Sequence, residues 1–271
     1  VLAACNRGAP AAEGQAAGRV PAAGDRWPAW RGDGTGIAVA ILSATIDLTE
    51  PHLVAPTTDR LLAHAAWNEG EANLVALRYL YQGMGQVAKN PIPPTMWGYN
   101  KSVPGYTYDV AMAKDFLAKA GFPEGKGLPE ITLWSMPVPR PYNPDGQKIG
   151  VAMAADLAKI GINARVVSYE WGTYLKRQRE QPEDMDLFQL GWTGDNGDPD
   201  NFLAVLFDGL ASSSVRTQWH NEQYHELIQQ GKQTVDQSKR AEIYKTALKL
   251  IYDEIPVISI AHSTVITQVL N

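Results

Sequence analysis

Cysteine is nearly missing from this chain of 271 residues: Cys5 is the only one. A single thiol closes no intramolecular disulfide and builds no Cys-ligated structural zinc site. Long apolar runs are missing too. The longest near-continuous one, Ile37 to Leu42, falls far short of the ~20 residues that a membrane-spanning helix needs. Nor is there an excess of positive charge. The 24 basic and 29 acidic side chains leave a net charge of −5, and no Lys/Arg-dense run occurs. The electrostatic footprint of a nucleic-acid binder is therefore absent. Histidines are few and scattered; His52 and His64 stand alone and suit surface or cap positions better than metal ligation. What is present suffices to fold. With 45% hydrophobic residues, 8 Trp and 11 Tyr, the chain can bury a substantial core, which excludes wholesale disorder. Its length suits one or two domains.

The first residues read Val1-Leu2-Ala3-Ala4-Cys5. A start at Val, not Met, leads us to expect more sequence upstream. Small residues ending in Cys resemble a bacterial lipobox, in which the signal peptide is cut and the Cys takes lipid. Chance is the competing explanation, because Ala is abundant. The position of the sole Cys directly before a linker-like tract favours lipidation of Cys5. From Val1 to Trp30 there are 10 Ala, 4 Gly and 3 Pro with almost no periodic apolar pattern, a composition for a flexible tether. Residues 31–80 form an unrecognised or truncated segment. Its Gly32-Asp33-Gly34-Thr35-Gly36 has G-x-G-x-G spacing, not the G-x-G-x-x-G of a dinucleotide loop, and reads as a plain loop.

Residues 81–271 read as an ordered α/β unit. Pro91, Pro93 and Pro94 fix an extended path. Asp109 is a good N-cap for a helix carrying Val110, Ala113, Phe116, Leu117 and Ala120, with Gly121 as its stop. The spacing predicts strands at Glu130–Trp134, Ile162–Val167 and Met185–Leu190 in one sheet. A helix from Asp145 or Gln147 to Gly161 joins the first two as a βαβ unit with parallel strands. Further helices are expected over Trp171–Arg179, from near Asn201, over Gln223–Gly231, and from Asp236 or Ser238 with Ile243, Ala247, Leu250 and Ile251 inward. A last strand is expected at Ile255–Ile260.

Two loops follow predicted strands, where open α/β sheets bind ligands. In Ser135–Pro144, four prolines surround Arg140 and Tyr142. Such an arginine can grip a carboxylate bidentately, or it can simply be solvated on a surface loop. The second loop, Gly191–Asn201, carries Asp195, Asp198 and Asp200 beside Trp192. One carboxylate could pair with an ammonium. Calcium and an acid/base pair for glycoside hydrolysis are alternatives, although EF-hand spacing is not met. Asp200 and Asn201 are expected to cap the following helix.

Five stretches are more specific: Tyr81 through Trp97; Met136-Pro137-Val138-Pro139-Arg140-Pro141-Tyr142-Asn143-Pro144; Tyr169-Glu170-Trp171-Gly172-Thr173-Tyr174-Leu175-Lys176-Arg177; Gly191-Trp192-Thr193-Gly194-Asp195 continuing to Phe202; and Ala261-His262-Ser263-Thr264. Together they resemble the peptide/nickel class of ABC-transporter solute-binding proteins, bacterial extracellular family 5, and within it the dipeptide binders. The resemblance implies an α/β, periplasmic-binding-protein-like lobe with a mixed sheet and flanking helices, the second lobe being largely missing. It implies a monomeric, non-enzymatic protein of the periplasm or cell envelope that delivers a dipeptide to an inner-membrane ABC permease, here in a truncated or remnant form, with no cofactor and no metal. Membrane contact would come only through a lipid anchor. Carried over, Asp195 pairs with the peptide ammonium and Arg140 with its carboxylate, while Tyr142 and Trp192 share the pocket. Haem, glutathione or nickel chelates are alternative ligands within the class. A hydrolase using Asp195 and Asp198 is the alternative outside it.

Overall fold

The computed structural model describes residues 85–106, 108–180, 185–211 and 219–263. Cys5, the tether expected over 1–30 and the segment 31–80 lie outside the described residues.

A parallel βαβ unit organises the lobe. Strand β2 (Ile131–Trp134) pairs in parallel with β3 (Ala164–Val167) on one side and with β4 (Leu187–Phe188) on the other, giving the order β3-β2-β4. All three expected strands therefore share one sheet, the first two shorter at their start and the third at both ends. A separate antiparallel pair joins β1 (Gly85–Val87) to β5 (Ala261–Ser263), with Gly85 opposite Ser263. Parallel and antiparallel pairing thus both occur, divided between two sheets.

Successive residues on a strand face opposite sides, and both sides of this sheet are covered. Leu133 and Leu187 pack into one apolar cluster with Ala113, Leu117, Met153 and Leu157. Their neighbours Trp134 and Phe188 pack into a second with Phe202, Leu206, Tyr224, Tyr244 and Leu248. The first cluster receives α1 (Val110–Lys119) and α2 (Gly146–Ala158). The second receives α4 (Asp200–Phe207), α5 (Glu222–Gln233) and α6 (Gln237–Glu254), with α3 (Trp171–Glu180) contributing Tyr174 and Leu175.

Local chemistry sets the helix ends. The carboxylates of Asp109, Asp145 and Asp236 each accept the backbone N–H three residues on, at 2.8, 3.0 and 2.9 Å. These are side-chain caps worth about 1 kcal/mol apiece. After α2 the chain turns at Gly161, φ +91°, where an added Cβ would lie 2.1 Å from the Glu124 carbonyl oxygen. Glycine is required there by both conformation and contact.

Two expectations are corrected. Ile255–Ile260 is not a strand: Ile255 takes a left-handed conformation that ends α6, and pairing begins only at Ala261. The buried face of α6 is Tyr244, Ala247, Leu248 and Ile251, so Ile243 and Leu250 lie at its margins.

Candidate functional site

Because β2 and β4 are parallel neighbours, the loops that follow them leave the same edge of the sheet. The carboxyl ends of parallel strands are where such folds place ligands.

The loop after β2 is a built turn. Arg140 and Asn143 exchange backbone hydrogen bonds, each 2.9 Å, which closes the chain around Pro141 and Tyr142. It is tied to β4 by Gln189, whose side-chain oxygen accepts from Met136 N at 3.3 Å and from Asn143 Nδ2 at 3.2 Å. Gln189 is fully buried, and nothing in the sequence pattern singles it out. The Tyr142 ring lies against the backbone at Gly191, where an added Cβ would sit 2.0 Å from the ring. The two loops are therefore in direct contact. Arg140 is half-buried, with its guanidinium 5.7 Å from the centre of the Trp171 ring. Among the described residues its buried Nε has no hydrogen-bond partner, and Nη1 reaches the Pro139 carbonyl at 3.4 Å. Donors left unsatisfied on a guanidinium backed by an indole are suited to a planar anion.

The loop after β4 is organised by Asn201. Its Oδ1 accepts from Trp192 Nε1 at 2.9 Å and from Asp195 N at 3.1 Å, and its Nδ2 donates to Asp195 Oδ2 at 3.1 Å. Asp195 is exposed.

Asp198 does different work. Both its oxygens accept from Arg240, at 2.8 and 3.1 Å, and the Arg240 guanidinium also lies 5.1 and 5.3 Å from the centres of the Trp97 and Tyr244 rings. Asp198 also accepts from Asp200 N at 2.9 Å, so it supplies the start of α4. This corrects the capping expected from Asp200 and Asn201: Asp198 serves the helix start, and Asn201 reaches back into the loop. Burial pushes the Asp200 carboxyl above its usual range, against the pull of the Lys232 charge. Asp198 is therefore ion-paired with Arg240, whereas Asp195 is not ion-paired among the described residues. Among the described residues, no group of three His, Cys, Asp or Glu is placed to hold a metal.

Of the four nominated residues, Asp195 and Arg140 present polar atoms at this edge. Tyr142 and Trp192 lie beneath it, 1% and 2% exposed, in the two apolar clusters. Among the described residues, no helix is long and apolar enough to cross a membrane.

Comparison with known proteins defines the class. The description "Bacterial extracellular solute-binding proteins, family 5 Middle" matches residues 76–214. The chain belongs to family 5 of the bacterial extracellular solute-binding proteins. It is 47% identical over 195 residues to the dipeptide-binding protein of Escherichia coli, covering 71% of this chain and 36% of that one. It is 37% identical over 209 residues to heme-binding protein A of Haemophilus influenzae, covering 76% of this chain and 37% of that one. The fold overlays the dipeptide-binding protein of Pseudoalteromonas sp. SM9913, solved in complex with Met-Leu, with a TM-score of 0.75 at 30% identity. That overlay covers 84% of this chain and 43% of that structure. The chain thus spans between a third and a half of the length of these relatives. Its architecture is an α/β lobe of the periplasmic-binding-protein type.

Proposed function

We propose that this lobe recognises the two charged ends of a dipeptide, as part of the substrate-binding component of a peptide ABC importer. Asp195 receives the ammonium and Arg140 the carboxylate. One observation carries the reading: an exposed carboxylate and an incompletely bonded guanidinium stand on touching loops at one edge of a parallel sheet, each held by its own bonds. A carboxylate and a guanidinium on either side of one ligand measure its length as well as its charge. Tyr142 and Trp192 support the two loops from below. Similarity to the Escherichia coli and Pseudoalteromonas dipeptide-binding proteins supports the same ligand class.

The role carries further proposals: residence on the periplasmic face of the cell envelope, lipid attachment at Cys5 behind a tether over 1–30, an inner-membrane permease as partner, a monomeric state, and no turnover of the ligand. A solute-binding protein returns its peptide intact.

Titration of the chain with Met-Leu tests the reading. In this lobe Asp195 is exposed and Arg140 only half-buried, and a largely exposed ion pair contributes only about 0–1 kcal/mol. Asp195→Ala and Arg140→Ala should each weaken binding by up to about fivefold. Enclosure of the same contacts in a dry cleft raises the cost of losing one partner to about 3–5 kcal/mol. Similarity to heme-binding protein A supports a second reading, a haem ligand. A Soret shift on adding haem, with no response to Met-Leu, would select it.

A further inference from the structure

We propose that Asn201 is the positioning residue for the Asp195 carboxylate and so sets how well this loop discriminates a ligand ammonium. The proposal rests on the reading of Asp195 as the ammonium partner.

The orientation of the Asn201 amide is fixed by its surroundings. Two N–H groups, the Trp192 indole at 2.9 Å and the Asp195 backbone at 3.1 Å, converge on Asn201 Oδ1. A flipped amide would set its NH2 against both donors, so the environment dictates which end of the side chain is oxygen. That choice leaves Nδ2 facing the loop, where it donates to Asp195 Oδ2 at 3.1 Å. One side chain thus fixes the loop backbone and selects which carboxylate oxygen is engaged. Asp195 Oδ1 makes no hydrogen bond with the described residues and remains exposed for a ligand.

Asn201 is itself anchored. It stands in the first turn of α4, its N–H donates to the Asp198 carbonyl at 3.1 Å, and the Asp198 side chain is gripped by Arg240. A rigid path therefore runs from α6 through Arg240 and Asp198 to Asn201 and Asp195. Capping does not account for the Asn201 side chain. Its three bonds run back to residues 192 and 195, not to the first-turn N–H groups of α4. A carboxylate already held in place loses less freedom when an ammonium arrives, which strengthens that one contact selectively.

The test is the affinity of the 271-residue chain for Met-Leu and for N-acetyl-Met-Leu, which lacks the ammonium. Wild-type protein should prefer the free amine by about three- to fivefold, the scale of a solvent-exposed ion pair. Asp195→Ala should abolish that preference. Asn201→Ala should bring it close to one while leaving N-acetyl-Met-Leu affinity within about twofold of wild type. Asn201→Ala that keeps the wild-type preference would overturn the proposal. Parallel loss of both ligands would also overturn it, since that is the signature of a merely structural residue. Absence of any preference in wild type would sink the reading of Asp195 itself, a separate outcome. If Asn201→Ala does not fold, NMR of the wild-type protein decides. Met-Leu should shift the Asn201 side-chain amide and the Trp192 indole N–H together, and N-acetyl-Met-Leu should shift neither. Bound Met-Leu that leaves both resonances in place would overturn the proposal.

Discussion

Gly191 has no side chain because the Tyr142 ring occupies the place where one would be. A methyl group there would lie 2.0 Å from the ring, with backbone on one side and a fully buried tyrosine on the other. Neither can retreat cheaply. Gly191→Ala should therefore destabilise the lobe by about 1–3 kcal/mol, the usual cost of overpacking, and displace the two site loops together. A thermal melt measures the first effect. Weaker Met-Leu binding with Asp195 and Arg140 intact measures the second. Trp171 makes a subtler contribution. It backs the Arg140 guanidinium at 5.7 Å. Trp171→Leu should leave the fold standing and weaken Met-Leu more than its C-terminal amide, since only the free carboxylate draws on a well-oriented guanidinium. Equal weakening of both ligands would assign Trp171 to packing alone. Sequence nominates the two loops because charges set among glycines and prolines after a strand stand out, while only the resemblance to family 5 singles out Asp195 and pairs it with Arg140. It does not reveal Gln189 or the Asp198–Arg240 pair. Those residues work through contacts made across 46, 53 and 42 positions, which no local pattern encodes.

At the scale of elements, the antiparallel ribbon of β1 and β5 carries an ionisable residue in its interior. His262 on β5 is 2% exposed. Burial pushes its pKa down from 6.5 to about 4, with the Asn90 backbone pulling the other way. Desolvation penalises the charged ring, so the fold holds it neutral. Above pH 6.5 neither the folded nor the unfolded chain carries the proton, and the ribbon is at full strength. As pH falls from 6.5 towards 4 the unfolded chain takes the proton first. Stability should drop by up to about 1.4 kcal/mol per pH unit, roughly 3 kcal/mol in all. Denaturant unfolding of wild type and His262→Gln across that range checks this. The variant should show a shallower slope, and identical slopes would place the acid sensitivity elsewhere. The strands and helices of the βαβ unit are readable in advance because their period and caps are local. The Ile255–Ile260 run misleads for a definite reason. It is apolar because it packs into both clusters, and burial, not strand pairing, selects those residues. Short apolar runs carry that ambiguity in any sequence.

At the scale of the molecule, the fold brings two distant segments to one edge, with Asp195 exposed and Arg140 half-buried. Fifty-five positions separate Arg140 from Asp195, yet parallel pairing of β2 with β4 makes their loops neighbours. On the proposed reading, the polarity of recognition, ammonium at one loop and carboxylate at the other, is a property of this lobe. A crystal structure of the chain with Met-Leu tests that claim most directly. The account predicts the ligand ammonium within about 3 Å of Asp195 Oδ1, and the ligand carboxylate on the Arg140 guanidinium with similar spacing. A peptide bound in the reverse direction, or seated away from both loops, would contradict it.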